Sequence, residues 1–192
     1  MKEGYKQTEL GVFPINWKIK TIGELADVTA GGTPSTNKAE YWNGTIPWMN
    51  SGEINLRRVK SVEGRITELG LKNSSTKFIP ANSVLIALAG QGKTRGKVAI
   101  NEFEICTNQS LAAIMPHADL HHEFLFQNLE SRYQEIRRMS TGDGGRGGLN
   151  LAIIKSIKLA FPPLSEQRKI AEILSTVDGK IEVNAVQIEQ TQ

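Results

Sequence analysis

The chain has 192 residues, enough for one domain of ordinary size with a small appendage. Its apolar share of 39% and charged share of 22% exclude a disordered chain, and no run of about 18 apolar residues exists to form a membrane helix. A net charge of +3 and a pI near 9.0 permit an acidic partner, while one cysteine, Cys106, excludes both an internal disulfide framework and a cysteine-based zinc site.

The opening MKEGYKQTEL has no apolar signal core, so the cytoplasm is the expected compartment. Residues 1–163 mix short apolar runs with frequent Gly and Pro, and read mostly as short strands and turns. Residues 30–38 (AGGTPSTNK) are a dense cluster of turn formers, long enough to present side chains to a ligand. Trp17, Trp42 and Trp48 sit in contexts that suit a core more than a stacking platform. Residues 83–89 (SVLIALA) predict a buried strand after the turn at Pro80-Ala81-Asn82, and 97–100 and 111–115 predict two more.

Between the first two of these strands lies AGQGKTRGK, whose Gly92-Lys93-Thr94 is the tail of a phosphate-binding loop. That loop needs a glycine at position 87, where Ala87 stands, and a helix afterwards, where the chain reads RGKVAI. A basic turn that meets a nucleic-acid backbone or base edges fits better. An ordinary solvated hairpin accounts for the same residues equally well. An ATP-binding protein built on Gly92-Lys93-Thr94 stays open as an alternative.

His117 and His121 are four apart, as helical metal ligands would be, but Pro116 precedes them and a surface cluster near a helix start at Asp119 is the better reading. No metal site and no catalytic triad is expected. Leu125, Leu129, Tyr133 and Ile136 give residues 123–139 the spacing of one amphipathic helix. The glycine-rich stretch 141–150 contains a G-x-G-x-x-G match, yet it follows a helix rather than a strand, so it reads as a flexible loop carrying Arg146. Residues 157–161 predict a last strand. Phe161-Pro162-Pro163-Leu164 has the prolines of the Asn/Asp-Pro-Pro-aromatic motif of amino-group methyltransferases, but Phe161 has no side-chain acceptor for the target amine.

Residues 164–192 form a second unit. Ser165 can cap a helix there, with Glu166 complementing its dipole. Ile170, Val177 and Asn184 alternate with Leu174, Ile181 and Ile188 at coiled-coil spacing, and the only helical stretch of matching length would belong to a second chain. Gly179 lies within this helix at a cost of about 1 kcal/mol relative to alanine.

The motifs in order are G-x-F-P-x-x-W (Gly11, Phe13, Pro14, Trp17), IGELADVTAGGTPSTN, YWNGTIPWMNSGEI, ALAGQGKTRGKVAI, TNQSLAAI and LAFPPLSEQRKIAEIL. As a set, over nearly the whole chain, they resemble the specificity subunit of type I restriction–modification systems. The resemblance implies an α/β (mixed α+β) target recognition domain over 1–163, followed by a long coiled-coil-forming helix over 164–192. It implies a non-catalytic role: reading one half of a bipartite double-stranded DNA site and directing adenine methylation and cleavage by partner subunits. Methyltransferase subunits and restriction subunits are the implied partners. They, and not this chain, would hold S-adenosylmethionine, ATP and Mg.

Full-length members carry two recognition domains and two helical regions, whereas this sequence has one of each, as a natural half-subunit or a fragment would. Pairing two copies through Ile170, Leu174, Val177, Ile181, Asn184 and Ile188 would give a homodimer that reads a palindromic, interrupted site. Thr33, Ser35, Thr36, Asn37 and Lys38 of the first loop are the expected DNA contacts, with Gln91, Lys93, Thr94 and Arg95 of the second and Arg146 of the third. Among them Asn37 and Gln91 suit adenine and Arg95 suits guanine. A module that assembles without reading DNA is the remaining alternative.

Overall fold

The computed structural model describes residues 3–90, 93–140 and 147–190, the last ten of these by the helical path of the backbone alone. In chain order, β1 (Tyr5–Thr8) and β2 (Gly11–Pro14) form a hairpin. Next come β3 (Lys18–Thr21), the single-turn helix α1 (Ile22–Leu25), β4 (Ala26–Ala30), β5 (Trp42–Met49), β6 (Arg58–Val59), β7 (Arg65–Ile66) and α2 (Glu68–Lys72). Then follow β8 (Val84–Ala87), β9 (Val98–Asn101), β10 (Cys106–Thr107), β11 (Leu111–Pro116), α3 (His122–Ser131), α4 (Tyr133–Arg138), α5 (Leu151–Ser156), β12 (Lys158–Phe161) and α6 (Leu164–Gln190).

The central sheet has five strands in the order β4-β11-β8-β9-β6. Neighbours are antiparallel except β6, which runs parallel to β9. Alternate residues of β8 enter different cores. Val84 and Ile86 face α3, α4 and α5, whereas Leu85 and Ala87 face Met49, Ile54, Ile79 and Ile105. A strand buried on both faces cannot alternate polar and apolar residues, which is why SVLIALA is a continuous apolar run. β5, β7 and β10 make a second sheet around Ile46, Trp48, Ile66 and Cys106. The Cys106 thiol is packed there, and burial pushes its pKa up to about 11, so it is a structural residue.

The single helix expected over 123–139 is two helices. Arg132 breaks it with φ −100° and ψ 17°. The reason is tertiary: its guanidinium donates to the Lys158 carbonyl (2.7 Å) and to Glu135 (2.6 and 2.8 Å). The break keeps Leu125, Leu129 and Ile136 in the core and leaves Tyr133 half-exposed. α5 is a helix the sequence reading omits. Asn150 caps it, accepting from the Ile153 N–H at 2.9 Å.

α6 is 27 residues long, about 40 Å at 1.5 Å per residue. Its first residue is Leu164, so Ser165 is not its cap; the Pro163 carbonyl accepts from the N–H groups of Glu166 (2.9 Å) and Gln167 (3.1 Å). Glu166 accepts from the Trp17 indole (2.9 Å) and the Asn16 amide (3.2 Å), closing the N-terminal segment on the helix. Gln167 is fully buried. Its Oε1 accepts from the His121 N–H (2.8 Å), and its Nε2 donates to the carbonyls of Asp119 (3.0 Å) and Pro162 (2.9 Å). One and two turns on, the Ala171 carbonyl and the Ser175 hydroxyl accept from Gln127 at 3.1 and 3.0 Å. Asp178 meets Arg57 at 3.2 Å.

The helix therefore packs on its own domain along Gln167, Ala171, Ser175 and Asp178, and Ile170 joins the same core. The stripe expected to run unbroken from Ile170 is divided. Ile170 is committed to the domain, whereas Leu174 (44% exposed) and Val177 (49%) lie open together with Ile173 (64%). The side chains of Ile181, Asn184 and Ile188 lie outside those described. No described helix is long and apolar enough to cross a membrane.

Two consequences are testable. Gln167→Leu removes the partner of the His121 N–H and of the Asp119 and Pro162 carbonyls, the last of them buried, and should cost about 2 kcal/mol in denaturant unfolding. Glu123 accepts two 2.7 Å bonds from Arg58 of β6, which hold its carboxyl below the usual carboxylate range. A depressed folded pKa gives stability that is present above the unfolded value and lost as pH falls through the folded one. Glu123→Gln should therefore flatten the acid limb of the stability–pH curve, with little change in its slope near neutrality.

Candidate nucleic-acid interface

Strand pairing brings distant loops together. Ala30, the last residue of β4, pairs with Ala112, and Ala87, the last residue of β8, pairs with Leu111. The loop after β4, the loop after β8 and the turn before β11 therefore emerge from one end of the central sheet. The chain returns there after the glycine-rich stretch, where the Leu149 N–H donates to the Leu88 carbonyl at 2.9 Å. Asn50 and Ser51 join them, since the Asn108 N–H donates to the Met49 carbonyl and its side chain reaches the Ser51 hydroxyl at 3.4 Å.

The first loop is held by its backbone. Gly31 and Gly32 donate to the carbonyls of Leu111 (3.2 Å) and Thr107 (2.8 Å). A Cβ on Gly31 would run into the Thr107 carbonyl, and one on Gly32 into the Ser75 hydroxyl, so this close approach requires the glycine pair. Two indoles of β5 fix the rest of the path. Trp48 donates to the Gly32 carbonyl (3.0 Å) and Trp42 to the Ser35 carbonyl (3.1 Å), and the rings meet edge to face with centroids 5.1 Å apart. Thr33, Ser35, Thr36, Asn37 and Lys38 are all exposed. Thr33 donates to the Gln109 side chain at 2.5 Å. Lys38 sits against Tyr41, 3.0 Å from its hydroxyl, which raises the ammonium pKa and keeps it charged.

In the second loop, Gly96 adopts φ +83° and lets the chain turn back into β9. No helix follows Thr94, which is the context a nucleotide-binding loop lacks here. Lys93 is exposed and Thr94 partly so. The turn is braced from α4: Tyr133 donates to the Lys93 carbonyl at 2.8 Å, and Arg137 reaches the Tyr133 hydroxyl at 3.2 Å and the Arg95 carbonyl at 3.4 Å. Arg95 needs a correction. It is only 6% exposed, and its guanidinium donates to the Gly147 carbonyl. It ties the second loop to the third from inside, so it is turned away from any ligand at the surface. Gln91, Gly92 and Arg146 lie outside the described residues, as does most of the G-x-G-x-x-G match.

The histidines make no metal centre. His117 lies 3.7 Å from Asp27, and His121 and His122 stack at 4.7 Å at the start of α3, which begins three residues after Asp119. Burial lowers the pKa of both stacked rings and favours neutral imidazoles. Among the described residues no group of three or more His, Cys, Asp or Glu could hold a metal ion. The sequence does not single out Gln109 or Asn108, and it marks Tyr133 only as a position on a helix face. The Asn-Gln-Ser turn before an apolar run was a signal of position, but its place between the loops depends on strand pairing.

The chain is a mixed α/β domain whose loops are gathered at one end of the sheet, with a long helix docked by a buried glutamine. The family model described as the type I restriction modification DNA specificity domain matches residues 14–191, and the chain belongs to that family. It is 35% identical over 169 residues to the EcoR124I/EcoR124II specificity subunit of Escherichia coli, covering 85% of this chain and 41% of the relative. It is 30% identical over 182 residues to the MjaIX specificity subunit of Methanocaldococcus jannaschii, covering 93% and 41%. The chain thus spans less than half the length of these curated relatives. The HsdS subunit from Thermoanaerobacter tengcongensis shares the fold with a TM-score of 0.70 at 18% identity, over 94% of this chain and 42% of that one. The S subunit from M. genitalium does so at 0.62 and 22%, over 98% and 45%.

The bracing of the second loop is open to measurement. Tyr133→Phe removes the bond to the Lys93 carbonyl and the one accepted from Arg137, and should cost about 1 kcal/mol globally. Amide exchange at residues 93–97 should nevertheless accelerate, because the loss is local.

Proposed function

We propose that the chain is a non-catalytic DNA-specificity subunit, or one recognition half of such a subunit, of a type I restriction–modification system. The observation that carries this reading is the convergence of exposed polar loops at one end of a rigid sheet, within a chain of this family. Residues 1–163 act as the target recognition domain and residues 164–192 as the spacer helix. Thr36, Asn37, Lys38, Lys93 and Thr94 meet the DNA, with Ser35 beside them. Gln91 and Arg146 belong to the same contact set. Arg95 acts from beneath by holding the second and third loops together.

Polar side chains on loops can read base edges, while lysines neutralise phosphates. Methylation and cleavage then fall to methyltransferase and restriction subunits, which would hold S-adenosylmethionine, ATP and Mg. The exposed Ile173, Leu174 and Val177 support a helix-to-helix contact with a second copy or with the methyltransferase subunit. A two-fold pair formed this way reads a palindromic, interrupted site in the cytoplasm.

Methylome sequencing of cells that co-express the chain with a methyltransferase subunit tests this reading. A palindromic interrupted motif is expected; an asymmetric one would sink the homodimer, and no motif at all would sink the DNA-reading role. Lys93→Ala should weaken binding by a similar factor on every sequence and reduce the salt slope by about one. Asn37→Ala should instead relax a single position of the motif.

A further inference from the structure

The turn between β10 and β11 is held to the scaffold by a set of hydrogen bonds. The Thr107 carbonyl accepts from Gly32 (2.8 Å) and from the Thr76 hydroxyl (3.0 Å). Asn108 donates its N–H to the Met49 carbonyl at 3.0 Å, and its Oδ1 accepts from the Ser110 N–H at 3.1 Å. Its carbonyl accepts from Leu111 at 3.2 Å, and the Ser110 carbonyl accepts from Leu88 at 2.8 Å. Four separate segments thus hold a turn of four residues. The side chain at its tip, Gln109, is exposed. The hydrogen bond described for it is the one its Oε1 accepts from the Thr33 hydroxyl at 2.5 Å.

An amide oxygen has two lone pairs and an amide nitrogen two N–H groups. Thr33 occupies one lone pair, which leaves an acceptor and a donor side by side. That is the complement of adenine in the major groove, where N6–H donates and N7 accepts. Guanine presents two acceptors there, so the free lone pair would face O6 without a proton between them. Either way up, the amide offers one donor and one acceptor, so guanine leaves one of its contacts unmade. An exposed glutamine ordinarily gains little from one contact, since ordering it costs rotamer entropy. Here the backbone is already fixed and the Thr33 hydroxyl holds the side chain in place.

We infer that Gln109 reads one adenine of the DNA site in the major groove, and that Thr33 is a positioning residue which holds the Gln109 side chain in place at the tip of the turn. This rests on the DNA-reading role argued above. It changes the part assigned to Thr33, which acts through Gln109 rather than on a base itself.

The test is enrichment of bound sequences from a random duplex DNA pool, using the full chain co-purified with its methyltransferase subunit. Wild type, Gln109→Ala, Gln109→Glu, Thr33→Val and Thr33→Ser are compared. Wild type should enrich a motif in which one adenine loses about tenfold or more of its preference in Gln109→Ala, with the other positions unchanged. Gln109→Glu, nearly isosteric, should lose the same adenine because it has no donor for N7. Thr33→Val should lose part of that preference, and Thr33→Ser should restore it. A Gln109→Ala motif identical to the wild-type motif overturns the inference and leaves the DNA-reading role standing. A uniform fall across all sequences also overturns it, since that marks a backbone contact. Failure of wild type to enrich any motif overturns both.

Discussion

One buried amide fixes how the two parts of this protein are joined. Gln167 has no exposure to solvent, and its side chain answers one N–H and two carbonyls that no secondary structure would satisfy. Those groups belong to the connection between β11 and α3 and to the residue pair that starts α6. Of the three, the Pro162 carbonyl is bonded in the interior, where leaving it unpaired would cost about 1–3 kcal/mol. The helix direction is consequently set at its first turn. Gln127, Ser175, Arg57 and Asp178 then extend the same line of contact, while Trp17 and Glu166 close the other side.

β11 connects this joint to the recognition loops. Its first residue, Leu111, lies at the loop end of the sheet, and its last, Pro116, leads to Asp119 and His121 beneath Gln167. Six extended residues, about 20 Å, separate the two. The strand is paired along both sides and its first four residues are buried, so the span is stiff. The position of α6 relative to the loops is thus a property of the sheet rather than of a flexible linker.

Much of this was legible in the sequence, and the failures have specific causes. β8, β9 and β11 were visible because burial on both faces leaves apolar runs, and β12 because a short run precedes Pro162-Pro163. The docking helix was visible from its period, but its start at Leu164 and the split of its apolar stripe were not. Ile170 is committed by the core that Phe124 and Leu159 complete, and nothing in the local spacing records that. The interruption at Arg132 depends on the Lys158 carbonyl, 26 residues away. Arg95 read as a DNA contact suited to guanine because its partner, the Gly147 carbonyl, is 52 residues distant. The first loop was recognised from its turn residues, yet its neighbours, including Gln109, were set by non-local pairing of β4, β11 and β8. α5 escaped because its capping Asn150 follows a glycine-rich stretch that reads as loop throughout.

The two tryptophans of β5 grip the first loop only through carbonyl oxygens, and the glycine pair is required only for its missing side chains. Any residue at positions 35–37 offers the same backbone to those clamps. Ser35, Thr36 and Asn37 are exposed, and their side chains enter none of the hydrogen bonds seen among the described residues. Substitution there should scarcely touch folding, whereas Gly31, Gly32 and Trp48 tolerate almost nothing. The exposed loop tip and the residues that hold the fold are therefore separate. Under the proposed function, such a division would let a lineage drift from one target to another by point changes at the loop tip, without passing through unstable intermediates.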